Sequence, residues 1–117
     1  DAICMNAVKL AEQVNAAAII TLTHSGFTAI RMSSHRPKAP IFTFTMNEDL
    51  INDLSLVWGV RTYFFGECQN INDYVIYTEE FLVSQNLLKK GDLVVHVGSI
   101  PIMERGKTNM LKLTRVS

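Results

Sequence analysis

The sequence predicts an α/β domain of three layers, in which helices cover both faces of a five-stranded, mostly parallel sheet. Helix-like and strand-like patterns alternate along the chain, which is typical of such a sheet. The run of residues 16–22 (AAAIITL) is apolar without interruption, as expected for a strand buried on both faces. The connection before the last strand is too short for a crossover helix, so we expect that strand to be antiparallel and at an edge.

Hydrophobic periodicity and helix start and stop residues define the elements in the first half of the chain. In residues 1–14 an apolar residue recurs every three or four positions, which indicates an amphipathic helix that ends at Asn15. In order, we predict a helix over 1–14, a strand over 16–22, a helix from Ser25–Gly26 to about His35, a strand over Ile41–Thr45, and a helix that Asn47 caps and that continues through Val57 to Gly59.

The second half is predicted to contain two further strands, one long helix and the edge strand. These elements are a strand over Arg61–Phe65, a helix over Ile71–Asn86, a turn at Lys89–Asp92, a strand over Leu93–Val97 and a last strand over Asn109–Val116. In the last strand Leu111 and Leu113 alternate with polar residues, which predicts one buried face. Trp58, at the end of an apolar helix, is predicted to be a core residue.

Composition narrows the possible partners. Eleven basic and eleven acidic residues cancel, so no overall field attracts nucleic acid or an anionic membrane, and we expect neither as a partner. No apolar run approaches the ~20 residues of a membrane span, and no secretory signal is present. Cys4 and Cys68 have no metal-ligand spacing and are expected as reduced thiols. The chain begins at Asp1 directly in a helical pattern, which suggests one domain, 1–117, of a longer protein.

The most informative polar segment follows the first strand. Ligands of open α/β sheets bind at the carboxyl ends of the strands, and a helix start there favours anions because its N–H groups and dipole point outward. The alternative is that Ser25 only caps its own helix. The residues of this candidate phosphate site are Thr23, His24, Ser25, Gly26, Phe27 and Thr28.

Nucleotide-loop and catalytic motifs are absent. Gly106-Lys107-Thr108 lacks the earlier glycine of a P-loop, since position 101 is proline, and no G-x-G-x-x-G follows the first strand. Glu48 and Asp49 suit a helix start without any catalytic role. The histidines have no ligand-like spacing, and His96 is expected to be a hydrogen-bonded sheet residue. We therefore predict no catalytic residue, no metal site and no cofactor in this chain, and no phosphoacceptor site, which needs clustered aspartates.

Taken together, these segments resemble the C-terminal domain of pyruvate kinases. Residues 23–29 (THSGFTA) and 36–41 (RPKAPI) are similar to the family stretch T-x-S-G-x-[ST]-A…R-P-x-A-P-I. The similarity continues through residues 56–60 (LVWGV), 89–92 (KKGD) and 108–112 (TNMLK), and so covers essentially the whole chain.

This resemblance implies a regulatory role in a cytoplasmic glycolytic enzyme. It implies that phosphoryl transfer from phosphoenolpyruvate to ADP takes place in a separate catalytic barrel, with Mg²⁺ and K⁺, that this chain does not contain. It also implies that residues 23–28 hold the phosphate of a sugar or nucleotide effector. A homo-oligomer contact through the strand Asn109–Val116 is expected as well, because an apolar edge strand recruits a partner.

Three departures from the family pattern bear on the effector. Phe27 stands where many members have arginine, and Asn70–Tyr77 lacks the arginine and tryptophan that grip a second phosphate in members activated by fructose 1,6-bisphosphate. The loop Ser99–Lys107 is not glycine-rich, although Arg105, Gly106 and Lys107 are candidates for second-phosphate or loop contacts. A sugar monophosphate or nucleotide monophosphate is an equally good candidate. The alternative function is a free-standing phosphate-binding module without a catalytic partner domain.

Overall fold

The computed structural model describes residues 2–22, 26–65, 71–98 and 110–116. Helices and strands alternate along the chain as the sequence pattern predicts. They are α1 (Ala2–Val14), β1 (Ala18–Leu22), α2 (Phe27–Ser34), β2 (Ile41–Thr45), α3 (Glu48–Leu54), β3 (Val60–Phe64), α4 (Ile71–Ser84), β4 (Leu93–Gly98) and β5 (Met110–Arg115).

The strands form one sheet in the order β3-β2-β1-β4-β5. β1 lies at the centre and pairs in parallel with β2 and β4, and β2 pairs in parallel with β3. β5 runs antiparallel to β4 at the edge, with Leu113 opposite Val95. The fold class, including the antiparallel edge strand, is therefore confirmed.

Two hydrophobic clusters, one on each face, hold the layers together. On one face α1, α2 and α3 pack against the sheet, and small residues of α1 such as Ala7 and Ala11 allow a close approach. On the other face α4 covers the sheet with Tyr74, Val75 and Leu82. All five residues of β1 and of β2 are buried, which explains why their sequences are apolar or threonine throughout.

Local signals in the sequence account for the helix ends. Asn15 follows α1 with a left-handed φ of 54°, a conformation that asparagine tolerates better than most residues. Asn47 caps α3 as predicted, because its side-chain oxygen accepts a hydrogen bond from the Asp49 N–H at 3.1 Å.

The end of α3 differs from the prediction. The helix stops at Leu54, and Ser55, which caps it, bonds the carbonyl of Asn52 with both its N–H and its hydroxyl. Residues 55–59 therefore form a turn, which places Trp58 with 49% of its surface exposed. The prediction of Trp58 as a core residue is wrong: its ring stacks under the Arg36 guanidinium, 4.8 Å from the ring centroid.

The buried face of β5 is also not the one that its leucines suggest. Leu111 and Leu113 are 38% and 42% exposed, although they point to the α1 side of the sheet with Val95 and Val97. On the opposite face Thr114 donates a hydrogen bond to Glu79 of α4. The edge strand therefore makes a polar contact with α4 on one face, while its two leucines lie partly exposed on the other.

Candidate functional site

The candidate site lies at the carboxyl edge of the sheet, where β1 leads into α2. Of the six predicted phosphate-site residues, Thr23, His24 and Ser25 lie outside the described residues, as do Arg105, Gly106 and Lys107. The structure describes Gly26, the backbone of Phe27, and Thr28. These three residues form the start of α2.

Gly26 is the N-cap residue of α2 and adopts a left-handed conformation with φ of 81°. Glycine supplies no side-chain cap of its own, and the alternative of a cap from Ser25 falls outside the described residues. The first helical hydrogen bond runs from the Ile30 N–H to the Gly26 carbonyl at 3.0 Å. In any α-helix the N–H groups of the first turn have no partner within the helix itself, which is the general condition for anion binding at a helix start.

Packing also fixes the position of Gly26. A Cβ atom there would lie 3.1 Å from the Leu54 Cδ2 atom and closer still to Leu50, both on α3. The backbone at the start of α2 therefore lies directly against α3. A residue other than glycine would be strained twice, by its φ angle and by these contacts.

Thr28 is less favourable to ligand binding than its sequence position suggests. Only 7% of its surface is exposed, and it takes part in interactions within the protein. An anion at this helix start would therefore contact backbone N–H groups more readily than the Thr28 hydroxyl.

α3 begins at the same edge and provides an internal comparison. Its start is already occupied, because Thr45 Oγ1 accepts from the Asn47 N–H at 3.0 Å and Asn47 caps the next turn. Its first turn also carries Glu48 and Asp49, whereas that of α2 has no acidic residue. Of these two helix starts, only that of α2 suits an anion.

A row of buried hydroxyl groups beneath this edge was not predicted. Thr21, Thr43 and Thr62 are register partners on β1, β2 and β3, and they point to the face that α1, α2 and α3 cover. Their Oγ1 atoms are buried without a hydrogen-bond partner among the described residues. Such a row appears only when the strands are aligned, so no motif of a single strand could have revealed it.

His96 is a hydrogen-bonded sheet residue, as predicted, but its partner was not foreseen. It is fully buried, and its Nε2 atom lies 2.8 Å from Glu79 Oε2 on α4.

Burial raises the pKa of the Cys4 thiol in the core, while Cys68 lies outside the described residues.

The remaining described residues give no sign of a metal site or a membrane segment. Within residues 2–22, 26–65, 71–98 and 110–116, no three His, Cys, Asp or Glu side chains are grouped so that they could hold a metal ion. The helices in those ranges are all too short or too polar to cross a bilayer.

Comparison with known proteins adds the context of the site. Residues 1–114 match the family described as "Pyruvate kinase, alpha/beta domain". The chain is similar to the pyruvate kinase of Geobacillus stearothermophilus, with 37% identity over all of this chain and 20% of that protein. It is 33% identical to the pyruvate kinase of Clostridium acetobutylicum, over 97% of this chain and 24% of that protein.

Solved structures agree with these sequence similarities. A crystal structure of a pyruvate kinase from Cryptosporidium parvum matches with a TM-score of 0.88 and 28% identity, over 99% of this chain and 22% of that chain. The chain thus spans between a fifth and a quarter of the length of these three pyruvate kinases.

Proposed function

Since this chain belongs to the α/β-domain family of pyruvate kinases, we propose that it is the regulatory and oligomerisation domain of such an enzyme. In this proposal, a phosphorylated effector binds at the start of α2. Transfer of phosphate from phosphoenolpyruvate to ADP occurs in a catalytic barrel outside these 117 residues. Mg²⁺ and K⁺ belong to that barrel, and the parent enzyme is cytoplasmic.

The contrast between the two helix starts carries the effector proposal. At α2 the N-cap residue is a glycine, which supplies no side-chain cap of its own, and the first turn carries no acidic residue. At α3 both the cap and the acidic residues are present. Because the net charge of the chain is zero, an anion is held here by local N–H groups and hydroxyls rather than by a general field.

The effector class follows from the charges near the loop. Phe27 brings no charge to the site, and so the phosphate contacts come from backbone N–H groups and from the hydroxyls of Thr23 and Ser25. We infer one well-bound phosphate, as in a sugar monophosphate or a nucleoside monophosphate. A second phosphate would depend on Arg105 and Lys107.

A thermal-shift titration tests this proposal. The 117-residue chain is titrated with inorganic phosphate, glucose 6-phosphate, fructose 1,6-bisphosphate and AMP. A ligand at 100 times its Kd stabilises the folded state by about 2.7 kcal/mol. We expect Ser25→Ala to reduce the shift that the best ligand produces. Asn47→Ala is the matched control, because it removes a cap at the other helix start and should lower the melting temperature without changing the ligand shift.

Two results would contradict the effector proposal. One is the absence of a shift with every phosphate compound at millimolar concentration. The other is an equal loss of ligand shift in Ser25→Ala and Asn47→Ala, which would place the ligand elsewhere.

The oligomerisation proposal rests on β5. The Val116 N–H bonds the Asp92 carbonyl at 2.8 Å, and hydrogen bonds alternate along an antiparallel pair. By that alternation, the backbone N–H groups of Lys112 and Thr114 bond to β4, while the backbone N–H groups of Leu111 and Leu113 point away from it. We propose that this edge pairs with β5 of a second copy around a two-fold axis, which would also cover the two exposed leucine side chains.

A further inference from the structure

A polar cluster inside the domain joins three separate elements through one oxygen atom. Glu79 on α4, with 8% of its surface exposed, directs Oε2 at His96 on β4 and at Thr114 on β5. The distances are 2.8 Å to His96 Nε2 and 2.5 Å to Thr114 Oγ1. Both contacts are short, as expected for hydrogen bonds to an ionised carboxylate.

The geometry determines where the protons are. An ionised carboxylate oxygen accepts from both neighbours when both of them donate, and the two short distances fit that arrangement. His96 therefore carries a proton on Nε2. Its Nδ1 atom is buried without a hydrogen-bond partner among the described residues, and a second proton there would be a buried unpaired donor. The arrangement fits a His96 that donates through Nε2 to an anionic Glu79.

The surroundings of the pair stabilise one negative charge. From β5, Lys112 contributes a positive charge near Glu79. From β1, the apolar Ile20 lies beside His96, and from α4 the Tyr74 ring packs edge-on against the imidazole at 5.9 Å. Burial alone would raise the pKa of Glu79, but the hydrogen bonds from His96 and Thr114, with the electrostatic attraction of His96 and Lys112, hold that pKa below its ordinary value.

Solvent protons can reach the pair. Glu79 lines a cleft of about 370 Å³ between α4 and the end of β5, together with Glu80, Ser84 and Val116. Glu80 has the same charge as Glu79 and is exposed to solvent. Among the described residues it makes no hydrogen bond to Glu79 or His96. The remaining cation of β5, Arg115, is engaged with the Gly91 carbonyl at 2.9 Å.

We propose that Glu79, His96 and Thr114 form a clasp that holds the edge strand β5 against α4, and that the clasp is firm while Glu79 is ionised and loosens when Glu79 takes up a proton. Proton uptake removes the negative charge of Glu79, so the charge-assisted hydrogen bonds from His96 and Thr114 are replaced by weaker ones. β5 is then held by its ladder with β4, by the bond of Arg115 to the Gly91 carbonyl and by the buried side chain of Val116, which follows it. The clasp is a proton-sensitive control on the edge of the sheet, and it involves no residue of the proposed effector site.

Hydrogen exchange of backbone amides tests the clasp in the 117-residue chain, whose two sheet faces are both covered by its own helices. Rates for β5 are compared with those for β1 and β2, after correction for intrinsic pH dependence, at a concentration where sedimentation shows a monomer. Relative to the central strands, β5 exchange should rise by up to about fourfold between pH 7 and pH 4, since an unfolded glutamate titrates at about pH 4.3 to 4.5.

Two variants and one control separate the clasp from general stability. Thr114→Val keeps the shape of the side chain and removes one donor, so β5 exchange at pH 7 should rise about tenfold. Glu79→Gln should raise it at least as much. The control Glu80→Gln removes the same charge from the same helix and should leave β5 exchange unchanged.

Two results would overturn the proposal. The first is β5 exchange in Thr114→Val that equals the wild-type rate. The second is a long-range ¹H–¹⁵N spectrum at pH 7 in which His96 Nε2 carries no proton. The second measurement uses the wild-type chain, so it decides even if Glu79→Gln fails to fold.

Discussion

A Cβ atom placed on Gly26 would lie 3.0 Å from the Cδ2 atom of Leu50. This close contact ties the start of α2, where the proposed effector binds, to the side chains of α3. The glycine is therefore required both by its left-handed φ angle and by the space that α3 leaves.

Gly26→Ala should destabilise the domain more than Gly59→Ala does. Both glycines have positive φ, but a Cβ at Gly59 would meet nothing within 4 Å. Holding alanine at a positive φ angle costs about 1–2 kcal/mol at either position. At Gly26 the contact of the new Cβ atom with Leu50 and Leu54 adds about 1–3 kcal/mol. Urea denaturation measures both free energies of unfolding. Equal losses of unfolding free energy in the two variants would show that the Leu50 side chain moves aside without an energetic cost.

For the row of buried threonines we predict a substitution that does not destabilise the domain. Thr43→Val replaces a buried hydroxyl that has no partner among the described residues, so it should leave stability unchanged or raise it by about 1 kcal/mol. Thr45→Val is the matched control: this residue is equally buried, but its hydroxyl accepts from the Asn47 N–H. We expect the control to lose about 1 kcal/mol. Destabilisation by Thr43→Val instead would indicate ordered water in the row.

The free energy of unfolding should depend on pH through Glu79. Its pKa is lower in the folded state than the ordinary value of 4.5. The unfolded chain therefore binds this proton first, so the contribution of Glu79 is complete above pH ~5 and declines as the pH falls through the folded-state pKa. Urea titrations between pH 7 and pH 3.5 should show a smaller decline in Glu79→Gln than in wild type. Identical pH profiles would exclude this linkage, and Glu80→Gln serves as the charge control.

Self-association should depend on the outward N–H groups of β5. Leu113→Pro removes one such donor from each copy and leaves the ladder with β4 intact, so it should weaken the dimer while the domain stays folded. Lys112→Pro instead removes a donor that bonds to β4 and should destabilise the strand itself. Sedimentation of both variants and of wild type distinguishes these effects. A wild-type chain that remains monomeric at high concentration would rule out pairing through this edge.

The parts of the fold that depend on local pattern could be predicted from the sequence. β2 was predicted with its observed limits, because Pro40 precedes it and both of its faces are buried. The α3 prediction ran too far because Leu56 and Val57 continue the apolar pattern into a turn. Leu56 is 94% exposed, so hydrophobicity alone gave the wrong environment.

In the candidate site, too, the features set by local pattern could be predicted from the sequence and those set by packing could not. The helix start at Gly26 follows from the strand–loop–helix pattern, and its conformation agrees with that expectation. The contact between His96 and Glu79 joins a strand to a helix 17 residues away in sequence, and the threonine row joins three strands. Both depend on how elements pack and align, which no periodicity within one element specifies.

The position of β1 at the centre of the sheet has a consequence for synthesis on the ribosome. β1 pairs with β2 soon after both emerge, but its other neighbour, β4, includes Val94, which pairs with Ala18 near the opposite end of the chain. Until β4 emerges, one edge of a strand made only of apolar residues and one threonine has no partner and can pair with another nascent chain. Such long-range closure is slow compared with local helix formation. Chaperone capture of growing chains should therefore be strongest before β4 leaves the exit tunnel.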